Sequence, residues 1–154
     1  MLCKHNKLMK QKETIDYFLK IVWQNVSNTY NQIASGFGIT QAIGYVLINI
    51  EADGTAVSAL AALLGVKATS LSRMLNNMEE TGLIYRETSE GDKRSVKVFL
   101  TPFGIEKRKQ ARDVVISFNE YLNERLTTRE KEQLIAALEK VNQLTLAYAP
   151  SKKQ

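Results

Sequence analysis

The chain has 154 residues, with 21 Lys or Arg against 16 Asp or Glu and a formal net charge of +5 at pH 7. Its 44% hydrophobic and 24% charged content suits one domain with an ordinary core, which excludes disordered, collagenous and coiled-coil chains. A single cysteine, Cys3, excludes an internal disulfide framework, a lone Cys with a lone His cannot make a zinc site, and no run of about 18 apolar residues predicts a membrane span.

The first twelve residues carry Lys4, Lys7, Lys10 and Lys12 without an acid, but no apolar block and small-residue cleavage site follow them. Cytoplasmic residence is therefore expected. From Thr14 to Ala34 the apolar residues Ile15, Phe18, Leu19, Val22, Trp23, Val26, Tyr30 and Ile33 recur every three or four positions, predicting a long amphipathic helix. Ser35-Gly36-Phe37-Gly38 interrupts it. Between Ile21 and Val66 the chain has no Lys or Arg, so this block is read as core or interface. Within it, Thr40 can cap a second helix with Ile43, Val46, Leu47 and Ile50 inward and Asp53-Gly54 as its exit. A third, short helix is expected with Thr55 or Ser58 as cap, Leu60, Ala61 and Leu64 inward, and Gly65 as its stop.

A helix from about Ala68 to Glu80 follows, with Leu71, Leu75 and Met78 on its buried face and Thr81-Gly82 at its end. The opposite face carries Thr69, Ser70, Ser72, Arg73, Asn76 and Asn77, all able to hydrogen-bond and none acidic. Two helices joined by a short Gly-containing turn predict a helix-turn-helix, whose second helix can enter a DNA major groove. The period then changes to two. Leu83, Ile84 and Tyr85 start one strand, Val96, Val98 and Leu100 alternate in another, and Ser89-Glu90-Gly91-Asp92-Lys93-Arg94 between them reads as a polar hairpin tip. Such a hairpin is a wing. Thr101-Pro102 predicts the cap and first position of a helix running to about Arg125, with Ala111, Val115, Phe118 and Leu122 inward and Val114 and Tyr121 extending the stripe. Thr127 and Glu130 form a capping-box pattern opening the last helix, whose buried face is expected at Leu134, Leu138, Val141 and Tyr148.

This order of elements resembles the MarR family of winged helix-turn-helix transcriptional regulators, and the resemblance covers nearly the whole chain. It is carried by Leu60-Ala61 with Leu64-Gly65-Val66, then Ser72-Arg73, Glu79-Glu80-Thr81-Gly82-Leu83-Ile84-Tyr85-Arg86, Asp92-Lys93-Arg94 and Leu100-Thr101-Pro102-Phe103-Gly104. Lys67-Ala68 departs from the small polar cap common at the start of the family's second helix. The resemblance implies a mainly α fold with a small β-wing, as a homodimer intertwined through its terminal helices. Residues 1-154 then form a single MarR-like domain, with a winged helix-turn-helix module at 39-101 and helical dimerisation regions at 10-36 and 102-149.

On that reading Thr69, Ser70, Arg73 and Asn76 face the groove, where Arg can pair with guanine and Asn with adenine, while Ser72 and Asn77 reach phosphates. Lys93 and Arg94 of the wing lie along the backbone with Arg94 in the minor groove, and Lys97 points outward to neutralise a phosphate. Asp92, two residues before Arg94, is placed to hold its guanidinium, a spacing that resembles the family's wing motif. Trp23, Tyr30, Phe37 and Tyr45 read first as core or dimer contacts, although the resemblance also implies a possible pocket there for a small aromatic or phenolic effector. Cys3 reads first as a non-functional thiol in the tail, although Lys4 and His5 beside it could lower its pKa modestly, and His5 reads as another tail residue. The function expected is a sequence-specific DNA-binding regulator of double-stranded DNA, most often a repressor in such families, that binds a pseudo-palindromic operator as a dimer. No enzyme, cofactor, metal or membrane role is expected, for want of a phosphate loop, a ligand cluster or a second His. The rival reading is a winged-helix module for protein-protein contact, since the fold alone does not establish DNA binding.

Overall fold

The computed structural model describes residues 14-89 and 92-149, with side chains for all of these except Ala68, Ser89 and residues 92-95. The chain forms two compact units, one ending at Val114 and one beginning at Val115. Helix α1 (Ile15–Ser35) leads through a turn at residues 36-38 to α2 (Gln41–Ile48). Thr40 caps α2 as expected: its hydroxyl accepts from the Ile43 N–H at 3.2 Å. A further N-terminal donor of α2, the Gln41 N–H, is taken at 2.9 Å by Asn31 Oδ1 on α1.

Thr55 does something else than the cap expected of it. Thr55–Ala56 is a two-residue strand, β1, and α3 (Val57–Leu64) begins behind Ala56 with no side-chain cap from Thr55 or Ser58. The Thr55 hydroxyl instead accepts from the Glu51 N–H at 2.9 Å, closing the turn after α2. Gly65 ends α3 with φ +61°, a conformation that costs glycine nothing.

Helix α4 (Ala68–Glu80) has the predicted bounds, and Leu71, Leu75 and Met78 are fully buried on it. Strands β2 (Ile84–Ser89) and β3 (Asp92–Leu100) complete an antiparallel sheet of order β1-β3-β2. The ladder steps from Thr88↔Val96 to Ser89↔Asp92, so one step on β2 faces four on β3 and Lys93, Arg94 and Ser95 are extra residues in the pairing. The hairpin tip expected over residues 89-94 is therefore shorter, because Asp92 to Arg94 belong to a strand.

Helix α5 (Pro102–Asn123) is capped by the Thr101 hydroxyl, which accepts from the Gly104 N–H at 3.0 Å and donates to the Gly82 carbonyl at 2.6 Å. One side chain thus fastens the start of α5 to the start of the wing. Lys107 Nζ and Arg108 Nη1 reach carbonyls just beyond α1 and α2, at Phe37 (2.8 Å) and Ile50 (3.0 Å). Cations suit these positions, where helix carbonyls lack partners. The final helix, α6 (Thr128–Ala147), opens with the expected capping box between Thr127 and Glu130.

The core is built from Val46 and Leu47 of α2, Ile50 beyond it, Leu60 of α3, the buried face of α4, and Leu83, Ile84 and Val98 around the sheet. By contrast, most of the stripes expected to be inward on the terminal helices are uncovered in the single chain. Ile15, Phe18, Val22 and Trp23 on α1 are exposed, as are Val115 and Tyr121 on α5, Leu134 and Leu138 on α6, and Tyr148 just beyond it. Ala111 is buried, while Val114, Phe118, Leu122 and Val141 are half-buried. Periodicity identifies the residues that share a face, but not what lies over it.

Candidate nucleic-acid interface

Helix α4 is sorted by its own period. With Leu71, Leu75 and Met78 turned to the core, Thr69, Ser70, Ser72, Arg73, Asn76 and Asn77 are left exposed, and the first turn contains no acid. Lys67 precedes it without a side-chain cap, consistent with the departure at that position. This is a polar, acid-free face near the N-terminus of the second helix of a helix-turn-helix, the part of that motif that meets base edges.

Asn76 differs from its neighbours. Its Oδ1 accepts from Arg86 Nη2 at 2.9 Å, so the oxygen that a bidentate adenine contact requires already has a donor. Arg86 is itself held by Glu79, through its backbone N–H to Oε1 and its Nε to Oε2, each at 3.1 Å, and through an Nη2–Oε2 ion pair. Arg86 closes the motif from Glu79 to Arg86, and the resemblance assigns it no role. Its signal was a carboxylate and a guanidinium seven residues apart across the Thr81-Gly82 turn.

The Arg86 hydrogen bonds hold the Glu79 carboxyl below its ordinary value of 4.5. Because the folded-state value is the depressed one, Glu79 stabilises the fold at pH above about 4.5, and that contribution is lost as pH falls through the lowered value. Chemical denaturation followed from pH 6 to pH 3 should accordingly show a shallower loss of stability for Glu79→Gln than for the unaltered protein. Equal slopes would show that the pair does not form in solution.

On the sheet, Lys97 is half-buried rather than simply outward: Nζ donates to the Asp53 carbonyl at 3.3 Å, and Glu87 is its cross-strand partner. Tyr85 and Phe99 stack beside it with ring centroids 5.2 Å apart. Gly54, with φ +80°, makes room for Phe99, since a Cβ there would lie 2.5 Å from the ring. The side chains of Asp92, Lys93 and Arg94, and Cys3 and His5 entirely, lie outside the described residues. Of the four aromatics, Trp23 and Tyr45 are exposed, Phe37 packs against the core, and burial raises the Tyr30 hydroxyl above its usual range. No group of three potential metal ligands occurs among the described residues, and no described helix is long and apolar enough to cross a membrane.

The sequence pattern of the MarR family matches residues 37–95, which takes in α2 to the wing. A protein of Thauera aromatica, named as a transcriptional regulatory protein for the hcr operon, is 30% identical over 106 residues, covering 68% of this chain. The match spans 63% of that relative's length. Among solved structures, Staphylococcus aureus MepR in a DNA complex is 25% identical with a TM-score of 0.79, covering 86% of this chain and 98% of that one. A cysteine-to-serine mutant of Escherichia coli MarR complexed with operator DNA is 28% identical with a TM-score of 0.77, covering 88% and 98%. With the winged helix-turn-helix seen in the fold, these likenesses agree with the motifs from Leu60 to Gly104 and support a MarR family winged-helix regulator.

Proposed function

We propose that this protein is a homodimeric repressor that binds a pseudo-palindromic operator in double-stranded DNA. The observation that carries the reading is the exposed polar face of α4 from Thr69 to Asn77, a stretch without an acid, set opposite Leu71, Leu75 and Met78 and followed by a wing. Thr69, Ser70 and Arg73 read base edges. Ser72 and Asn77 contact phosphates, and Lys93 and Arg94 follow the backbone from the wing. Solved DNA complexes of two relatives support the choice of partner. The uncovered stripes of the terminal helices support the dimer, because each helix leaves large apolar side chains exposed and such exposure marks an association site. Trp23 stands in the uncovered stripe of α1 and Tyr45 is exposed on α2, and both are assigned to contacts between subunits before any effector.

Selection of bound duplexes from a random pool tests the reading directly. A consensus with two inverted half-sites about 10 base pairs apart is expected, one for each α4. Arg73→Ala should then cost about 1 to 3 kcal/mol on that operator and relax preference at one base position per half-site. Recovery of no consensus, with specific and scrambled duplexes bound alike, would refute sequence reading and favour a protein-protein role.

A further inference from the structure

The Glu79–Arg86–Asn76 cluster lies where α4 passes into β2. We propose that Arg86 is a positioning residue for DNA binding: held by Glu79 and bonded to the Asn76 side-chain oxygen, it locks α4 to β2 so that helix and wing meet DNA in one fixed relation. The proposal rests on the DNA reading above.

The chemistry of the contact is unambiguous. A guanidinium has donors and no acceptor, so the atom of Asn76 facing Arg86 must be the carbonyl oxygen. Glu79 takes the Arg86 backbone N–H with one oxygen and the side-chain fork with the other, fixing both the strand and the guanidinium. A planar fork held this way has little freedom to swivel. Asn76 and Glu79 lie three residues apart on α4, so Arg86 grips the helix at two points about one turn apart.

Position along the strand gives the grip its leverage. Leu83 and Ile84 are buried, but Glu87 and Thr88 are exposed, and Arg86 is the last described residue of β2 with a hydrogen bond to α4. At 3.3 Å per residue, the arm from Gly82 to Ser89 is about 23 Å long, so a tilt of about 10° moves its end by about 4 Å. That exceeds the tolerance of a hydrogen bond several-fold. Without the clamp, a wing seated in the minor groove and a helix seated in the major groove would not be delivered together.

The test uses the full-length protein, the selected operator and a scrambled duplex of equal length at one salt concentration. With helix content and oligomeric state unchanged, Arg86→Ala should weaken operator binding about tenfold and scrambled binding far less. In an Arg94→Ala background, where the wing has less to deliver, the same change should cost under about twofold. A merely structural arginine would give additive losses, and either additivity or an unaffected operator affinity overturns the proposal. Asn76→Asp provides a second arm should Arg86→Ala not fold, since a carboxylate still accepts from Arg86. It should keep the selected consensus and shift both affinities by a common factor. A consensus altered at one position would make Asn76 a base reader and overturn the clamp. Should the unaltered protein bind operator and scrambled duplex equally, the proposal falls with the DNA reading, an outcome distinct from the others because it needs no variant.

Discussion

Gly104→Ala is expected to destabilise the protein by about 3 kcal/mol or more, the largest effect of any single added methyl group on α5. A Cβ at Gly104 would lie 1.9 Å from the Leu83 carbonyl oxygen. That oxygen cannot retreat. It accepts from the Thr101 N–H at 3.1 Å, and Leu83 itself is buried at the start of the wing. An added methyl must therefore push α5 off β2 or break the Thr101 contacts that join them. Urea unfolding at neutral pH reads the effect as a lowered midpoint, with Glu106→Ala on the exposed side of the same turn as a control within about 0.5 kcal/mol. An unchanged midpoint for Gly104→Ala would mean that the close approach between α5 and β2 does not exist in solution.

The second large effect is expected from Leu75→Ala, at about 2 to 5 kcal/mol, because Leu75 is fully buried and its loss leaves a cavity among α4 neighbours that cannot collapse freely. Arg73, two residues earlier and exposed, should change stability by no more than about 0.5 kcal/mol when made Ala. On DNA the order reverses. Leu75→Ala protein that remains folded should keep the sequence preference of the unaltered protein, while Arg73→Ala loses part of it. Unfolding midpoints and operator-to-scrambled affinity ratios, measured on both variants, separate the two faces of one helix. A Leu75→Ala protein of ordinary stability would mean that the periodic stripe had been assigned to the wrong side.

What was legible in the sequence followed from local rules. Leu71, Leu75 and Met78 recur with the helical period and Thr81-Gly82 breaks it, which places both ends of α4. The Thr127 and Glu130 side chains accept from each other's backbone N–H groups within four residues, so their capping box is a local matter too. Strand β1 was not legible, because two residues have no period and Thr55–Ala56 extends only by pairing with Val98 and Lys97, more than 40 positions away. The candidate site divides in the same way. The exposed face of α4 could be read from spacing, but the claim of Arg86 on Asn76 depends on how a strand folds back beside a helix, and no spacing within α4 reveals it. Nor could periodicity tell that Lys97 would find the Asp53 carbonyl.

The sheet order β1-β3-β2 leaves β2 as an open edge, the kind of surface on which a second chain can template further strands. Here the edge is blunted from within the molecule. The Arg86 backbone N–H, in the middle of β2, already donates to Glu79 Oε1, and Arg86 and Glu87 place charge along the strand. With that donor taken, a straight incoming strand meets no continuous row of free donors and acceptors along β2. The exposed edge of β2 is thus a poor template for strand addition into insoluble sheets.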